Sequence, residues 1–152
     1  MALPNIFSKE VSESIIQRIQ NLTSETKAQW GKMSVAQMLA HCNVTYEMAY
    51  ENKHRKPSLF MKFILRKFVK KTVVDETPYI INSRTGPDFL IKETKNFEVE
   101  KQRLLNYITK TQELGENYFD NKESHSFGAL NKFEWNNMFY KHLNHHLSQF
   151  GA

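Results

Sequence analysis

The chain has 152 residues, 40% of them hydrophobic and 24% charged, which is the composition of one ordinary globular domain over residues 1–152. It holds no run of ~18 apolar residues, and its N-terminus lacks the pattern of a leader peptide, so we expect a cytoplasmic protein without a membrane span. The single cysteine, Cys42, excludes an internal disulfide framework and a cysteine-only metal cluster, and the net charge of +5 raises the question of an anionic partner.

Apolar residues at helical spacing predict a mostly helical chain, and only 5 Gly and 4 Pro argue against a many-stranded sheet. Ser34 with Gln37, and Asn131 with Glu134, have the spacing of capping boxes that begin helices. Gly115 stands where a glycine commonly ends a helix. The four long helices predicted in this way cover residues 11–22, 35–51, 97–114 and 132–150.

A basic segment, residues 53–71, follows the second predicted helix and contains no acidic residue. Lys62, Arg66 and Lys70 form one ridge at i, i+4 spacing with apolar residues on the other side, which predicts a short amphipathic helix after Pro57. Outside this segment acidic residues outnumber basic ones. The positive charge is therefore local, as expected of a patch that binds nucleic acid or an anionic membrane.

The two remaining connections show no sustained helical period. Residues 72–91 are expected to form a long crossover between the second and third helices, with short extended pieces at 79–81 and 89–91. The part at 79–89 is either a lid over a site or an irregular connection. The polar stretch 116–130 is expected to be a loop before the last helix.

Two histidines of the last predicted helix lie in the middle of its apolar stripe. His142 and His146 share a face with Phe139 and Leu143, whereas Lys141 lies on the opposite, solvent-facing side. At i, i+4 spacing both imidazoles can reach one ion, which predicts a metal site. The alternative is a pair of core histidines, but each then needs its own buried partner, because an unpartnered polar group costs roughly 1–3 kcal/mol.

Other side chains are candidates to complete this site. His41, on the flank of the second predicted helix, is the candidate third ligand, since a bundle helix faces two neighbours. His145 and Gln149 are candidates to contact and orient a ligand from outside it. His125, in the predicted loop, is a further candidate for a ligand or for such an outer contact. Cys42 is interpreted as a small core residue.

The acidic residues near these helices supply no general base, so the catalytic residues are unknown. Glu134 has the simpler role of a helix cap, and Glu47 is expected to be an exposed acid. His54, within the basic segment, is expected to be solvated.

A family resemblance rests on three pieces of sequence, which are WGKMSVAQMLAHC at 30–42, FG followed by EW between 127 and 135, and HLNHHLSQFG at 142–151. They resemble the DinB-like, YfiT-like metalloenzyme superfamily, in a branch of unassigned function, and the resemblance covers nearly the whole chain. It implies an all-α four-helix bundle of up-down-down-up connectivity, often dimeric, here with an insertion between helices two and three. It also implies a divalent metal held by His41, His142 and His146.

Three protein ligands leave a position open for water or substrate, which is typical of catalytic sites. Since the superfamily that this chain resembles includes enzymes that use low-molecular-weight thiols, we predict a metal-dependent, thiol-dependent transferase or a hydrolase. Zinc, nickel, iron or manganese all suit three imidazoles. The alternatives are a non-catalytic, metal-stabilised binding or structural protein, and a nucleic-acid or anionic-membrane binding module that uses residues 53–71.

Overall fold

The computed structural model describes residues 2–152. This part of the chain is mostly helical, with seven α-helices, a short 3-10 turn and one two-stranded antiparallel sheet. The elements in chain order are α1 (Lys9–Gln20), α2 (Val35–Tyr50), α3 (Leu59–Phe68), α4 (Lys70–Val74), the 3-10 turn (Pro87–Phe89), α5 (Phe97–Leu114), α6 (Glu116–Phe119), β1 (Lys122–Ser124), β2 (Gly128–Leu130) and α7 (Lys132–Gln149).

Helices α2 and α7 begin where the caps predict them, whereas α1 begins and ends two residues earlier than predicted, with Ser8 as its cap. Ser34 and Gln37 form a reciprocal capping box at the start of α2, and Asn131 and Glu134 form one at the start of α7. Helix α5 has the predicted bounds and ends at Gly115, whose φ of +73° an L side chain rarely adopts. Local hydrogen bonding therefore fixes these helix ends before any tertiary contact is considered.

The four long helices contact one another around a single apolar core. Both α1 and α2 pack against α5 and α7. The largest fully buried side chains come from all four helices and from the segments between them: Ile6, Ile15, Ile19, Met38, Leu39, Tyr46, Leu104, Ile108, Phe119, Leu130, Trp135 and Phe139. None of the helices formed by residues 2–152 is both long and apolar enough to cross a bilayer.

Helices α2 and α7 lie side by side in opposite directions. Tyr46 stacks on Phe139 with ring centroids 4.9 Å apart and planes within 2°. Closer to the other end of the pair, the Gln149 side-chain amide donates to the carbonyl of Trp30, just before α2. The first half of α2 therefore lies beside the second half of α7, which brings His41 next to the histidines of α7.

The crossover differs from its prediction. Residues 79–81 and 89–91 form no strand, and the regular structure within 72–91 is the end of α4 and the 3-10 turn. The short amphipathic helix predicted after Pro57 is confirmed as α3. Helix α4 packs against the outer side of α7, so Lys141 is buried and not solvent-facing as predicted. Its ammonium donates to the carbonyls of Thr72 and Asp75 and to the Asp75 carboxylate at 2.7–2.9 Å. A wheel diagram of one helix cannot show what covers its polar face.

The expected loop before α7 also contains regular structure. It holds α6 and a β-hairpin in which Lys122 pairs with Leu130 and Ser124 with Gly128. The Ser124 hydroxyl donates to the Gly128 carbonyl and accepts from the Phe127 amide, which closes the turn around His125. Each strand has only three residues, too short to produce a recognisable alternation in the sequence.

Candidate metal centre

Three histidines from two helices converge between α2 and α7. One nitrogen from each of His41, His142 and His146 lies within 4.8 Å of the other two. The Nε2 atoms of His41 and His142 are 2.9 Å apart, and the three ring centroids are separated by 4.4–4.9 Å. His41 and His142, 101 positions apart in the sequence, thus share one site because α2 and α7 run antiparallel.

The outward nitrogen of His41 is held by the backbone of the crossover. Its Nδ1 lies 2.8 Å from the carbonyl oxygen of Phe89, at the end of the 3-10 turn. A carbonyl can only accept, so Nδ1 carries the proton and donates. In the neutral ring, the lone pair is then on Nε2, the nitrogen that faces His142.

The outward nitrogen of His146 is held by a two-step chain of hydrogen bonds. The Gln149 amide nitrogen donates to the carbonyl of Trp30 at 2.8 Å, which fixes the orientation of this amide because a carbonyl cannot donate. The Gln149 Oε1 therefore faces His146 Nδ1, at 2.8 Å, and accepts its proton. His146 then also carries its lone pair on Nε2.

His142 has a hydroxyl as its outer partner. Its Nδ1 lies 3.0 Å from Thr45 Oγ1, one turn along α2 from His41. The threonine hydroxyl can donate to Nδ1 or accept from it. Because His41 carries its lone pair on Nε2, the 2.9 Å contact between the two Nε2 atoms makes His142 Nε2 the donor in the absence of an ion, with Thr45 donating to Nδ1. A bound ion would require the other tautomer, with Nδ1 donating to Thr45. Each of the three imidazoles therefore has an oxygen partner at Nδ1, and the Nε2 atoms of His41 and His142 face each other.

Burial keeps this cluster neutral. Removal from water lowers the pKa of His41, lowers that of His142 well below its ordinary value, and lowers that of His146 to about 3. The neighbouring imidazoles lower these pKa values further, since like charges at such distances repel. All three rings are uncharged at neutral pH, the form in which imidazole binds metal.

Aromatic rings cover the cluster. The ring of Phe89 packs on His41 and His142 at centroid distances of 5.4 and 5.8 Å, and Tyr79 packs edge-on against His142 and His145. A surface cavity of about 240 Å³ lies on the far side of Tyr79 and His145, with Trp30 also in its wall. The segment 79–89 is thus in contact with the site, as a lid would be.

The remaining histidines lie outside the cluster. His145 is half-buried, with its ring 5.0 Å from that of His146, where it forms an outer contact to a candidate ligand. His125 lies in the hairpin turn, with Nε2 3.3 Å from the carbonyl of His54, beyond the C-terminal end of α2. Because His41 precedes that end of α2 by nine residues, ~13 Å of helix separates the two places.

Two predictions about charged side chains are wrong. Glu47 is buried, and it forms an ion pair with Arg103 of α5. His54 is not solvated, because its Nε2 lies 2.7 Å from the Glu47 carboxylate. These groups form a separate polar network between α2 and α5. Among residues 2–152, no carboxylate belongs to the three-histidine group.

Comparison with protein families gives one assignment. A family described as a protein of unknown function, DUF1569, matches residues 8–152. The chain belongs to the DUF1569 family. Comparison of this DUF1569 chain with curated proteins gave no match, and comparison with solved structures gave none either.

Some residues of this DUF1569 site were not identified from the sequence. Thr45 and the Phe89 carbonyl hold two of the imidazoles, and Gly31 leaves room for Gln149, since an added Cβ would lie 2.6 Å from its amide nitrogen. Thr45 lies four residues after His41 on the same helix face, which was a usable signal. The role of the Phe89 carbonyl left no signal in the sequence, because every residue has a backbone carbonyl.

Proposed function

We propose that this DUF1569 protein binds one divalent metal ion through the Nε2 atoms of His41, His142 and His146. The observation that carries the proposal is the hydrogen bonding of the opposite nitrogens. Each Nδ1 already has an oxygen partner, and for His41 and His146 that partner fixes the proton on Nδ1. Metal-binding histidines commonly have this outer contact, which orients the ring and selects the tautomer.

The donor set fits such an ion. The three nitrogens lie within 4.8 Å of one another, and ligands bound at ~2.0–2.1 Å need only small ring movements from there. In the alternative of a metal-free core, His142 has the other tautomer: its Nε2 donates to the lone pair of His41 Nε2 at 2.9 Å, and its Nδ1 accepts from Thr45. Three neutral imidazoles suit zinc, nickel, iron or manganese.

We propose further that the site is catalytic, in a transferase that uses a low-molecular-weight thiol or in a hydrolase. A divalent ion with an open position lowers the pKa of a coordinated water or thiol, which supplies a nucleophile near neutral pH. The chain's own residues hold the imidazoles in place, and Phe89 and Tyr79 shield them from bulk water. The pairwise packing of α1, α2, α5 and α7 supports the DinB-like four-helix bundle, in which such sites are built from facing helices.

The second candidate function is a non-catalytic one, in which the ion only joins α2 to α7. The observation that favours it is the cover over the site, since the rings of Phe89 and Tyr79 contact the imidazoles directly. A structural site has no need of an open position, whereas a catalytic one does. Turnover by metal-loaded protein distinguishes the two functions.

The first test is metal content, measured by elemental analysis on protein purified without a metal-affinity tag. We expect about one equivalent of a divalent metal in the native chain. His41→Gln and His142→Gln should lose it, with an affinity loss larger than the ~10–100-fold that removal of an outer partner costs. His125→Gln is the matched control, because that histidine is equally buried in the hairpin but lies outside the cluster.

Failure of this test has a clear form. If the native chain holds no metal and takes up no zinc, nickel, iron or manganese, the three histidines are core residues and the proposal is wrong. If metal is bound, the loaded protein is assayed with thiols and electrophiles and with a hydrolase panel. Loss of any turnover in His142→Gln, but not in His125→Gln, would support catalysis at this site. Absence of turnover across both panels would support the structural role.

A further inference from the structure

Helix α3 carries its apolar side chains on the outside of the molecule. It has no buried residue, and its exposed fractions reach 87% for Leu59, 73% for Phe60, 61% for Phe63 and 68% for Phe68. A surface helix of a globular protein ordinarily turns such a face toward the core. An apolar face of this kind, concentrated on one ten-residue helix, is typical of a surface that binds something.

The polar ridge of the same helix is turned inward. Lys62 forms an ion pair with Glu123 of the hairpin at 3.9 Å, and the guanidinium of Arg66 lies over Gly128. Just beyond the helix, Lys70 pairs with Glu134 at the start of α7 at 2.8 Å. These contacts, together with the half-buried Ile64 and Leu65, attach α3 to the rest of the fold and leave Leu59, Phe60 and Phe63 exposed.

Cations without acidic partners lie on α3 and in the segments that flank it. Of the eight basic side chains in residues 53–71, Lys53, Lys62 and Lys70 form ion pairs. The other five form none with any acid in the described part of the chain: Arg55, Lys56, Arg66, Lys67 and Lys71. The occupant of this surface must therefore combine apolar material with negative charge.

A second copy of this chain does not meet that requirement. A twofold contact through α3 would bring the same cations of both copies together, and like charges across an interface oppose association. Nucleic acid meets the charge requirement, but it offers no apolar phase for Leu59 and for the exposed phenylalanines. An anionic bilayer supplies both, with acyl chains below and phosphate headgroups at the level of the lysines and arginines.

We propose that α3 docks this protein onto an anionic lipid bilayer. The helix lies in the plane of the interface, with Leu59, Phe60 and Phe63 below the headgroups. Arg55, Lys56 and Lys67 contact the lipid phosphates. The attachment is peripheral and reversible, because only one short helix contributes apolar area. It does not depend on the metal centre, since none of its residues belongs to the three-histidine group.

The test uses co-sedimentation of the full chain with vesicles of phosphatidylglycerol and phosphatidylcholine in equal parts, against vesicles of phosphatidylcholine alone. We expect binding to the anionic vesicles only, with loss of binding as salt is raised. Phe60→Ser combined with Phe63→Ser should weaken binding by about 100-fold or more, because two phenylalanine side chains then leave the apolar phase. Both positions are exposed, so the fold should tolerate the change.

Matched controls distinguish a specific role of α3 and its flanking cations from the general effect of removing an exposed ring or an exposed charge. Phe133→Ser removes a ring that is 69% exposed on α7 and should leave vesicle binding unchanged. Arg55→Gln with Lys56→Gln should weaken binding by roughly 30-fold, since each cation near an anionic surface contributes about fivefold to tenfold. Lys27→Gln with Lys32→Gln removes two exposed cations elsewhere and should have little effect.

Any of four binding results would overturn the proposal. These are the absence of vesicle binding at low salt, equal binding to neutral vesicles, binding that survives the double phenylalanine substitution, and a preference for DNA or RNA over lipid. Concentration-dependent dimerisation that is abolished by Phe60→Ser with Phe63→Ser would also overturn it, because the apolar face would then be a contact between copies. Sedimentation equilibrium of the native chain and of this variant measures that directly.

Discussion

Gly31 controls the orientation of a proposed ligand without touching it. Its φ is +82°, and a Cβ at this position would lie 2.6 Å from the amide nitrogen of Gln149. That amide holds His146 by its Nδ1. The position of the Gln149 amide, and through it that of His146, therefore depends on the lack of a side chain at residue 31.

We predict that Gly31→Ala lowers metal affinity by roughly 10–100-fold, the cost of losing an outer hydrogen bond to a ligand. Displacement of the Gln149 amide frees His146 to rotate and to change tautomer. Competition with a chelator of known affinity measures the loss. The matched control is Gly115→Ala, which imposes a comparable positive φ of +73° but places its Cβ near no other atom within 4 Å.

The control separates backbone strain from the specific contact. Both variants should lose stability, because alanine is strained at positive φ. Only the variant at Gly31 should lose metal affinity. Equal affinities in the two variants would mean that the Gln149 contact does not orient His146.

At the scale of elements, a polar network joins the C-terminal half of α2 to α5. Glu47 of α2 binds Arg103 of α5 and His54 in the segment after α2, and Arg103 also binds Glu100 at 2.8 Å. The Glu100 carboxylate in turn accepts from the amide of Asn43 at 2.8 Å. A buried network of this kind stabilises one relative position of two helices, provided that its charges remain paired.

The Glu47 carboxylate should make stability depend on acid pH. Burial by itself raises its pKa, but hydrogen bonds from Arg103 and His54 outweigh burial, and the net pKa lies below the ordinary value of 4.5. A lowered acid pKa contributes stability that is fully present above 4.5 and is lost as the pH falls toward the folded-state pKa. The free energy of unfolding should therefore fall as the pH drops below this value.

We predict that Glu47→Gln lowers the free energy of unfolding at pH 7 by ~1–3 kcal/mol, because it leaves buried donors unpaired. The difference in free energy of unfolding between this variant and the native chain should shrink as the pH falls below 4.5, since the native carboxylate becomes protonated there. Urea unfolding at several pH values measures both effects. Glu113→Gln on α5 removes an exposed acid and should show neither, whereas a constant difference at every pH would contradict the assignment to Glu47.

Elements that depend on neighbours along the chain were predictable, and those that depend on distant residues were not. The caps at Ser34 and Asn131 are local hydrogen-bonding patterns, and they located the starts of α2 and α7. The inward faces of His142 and His146 followed from helical periodicity alone. Lys141 is different, because α4 covers the side of α7 that periodicity assigns to solvent.

In the candidate site, too, features that depend on nearby residues were predictable and features that depend on distant residues were not. Periodicity placed two histidines on one face, but it left His41 on a flank. The two neighbours of a bundle helix made His41 the candidate third ligand, and the resemblance implied it as one. The approach of His41 to His142 depends on the antiparallel contact of α2 with α7. Its tautomer depends on Phe89, which arrives from the crossover. Contacts between residues so far apart in the chain leave no periodic signal in a single sequence.

At the scale of the whole molecule, a metal at this site would join the two halves of the chain. His41 belongs to α2 and the other two ligands to α7, so unfolding must release the ion. The predicted homodimer would add a second link between stability and association, which sedimentation equilibrium of the native chain would reveal. Lipid binding through α3 is expected to be linked neither to metal binding nor to dimerisation.

We therefore predict that metal raises the midpoint of thermal unfolding. An ion at ~100 times its dissociation constant stabilises the folded state by about 2.7 kcal/mol, which corresponds to roughly 5–10 °C for a chain of this length. The shift should be absent in His142→Gln and complete in Phe60→Ser with Phe63→Ser, because the phenylalanines lie outside the cluster. Scanning calorimetry with and without zinc measures it. A shift that persists in full in His142→Gln would place the bound ion elsewhere in the molecule, because a site that loses one of its three ligands cannot keep its affinity for the ion.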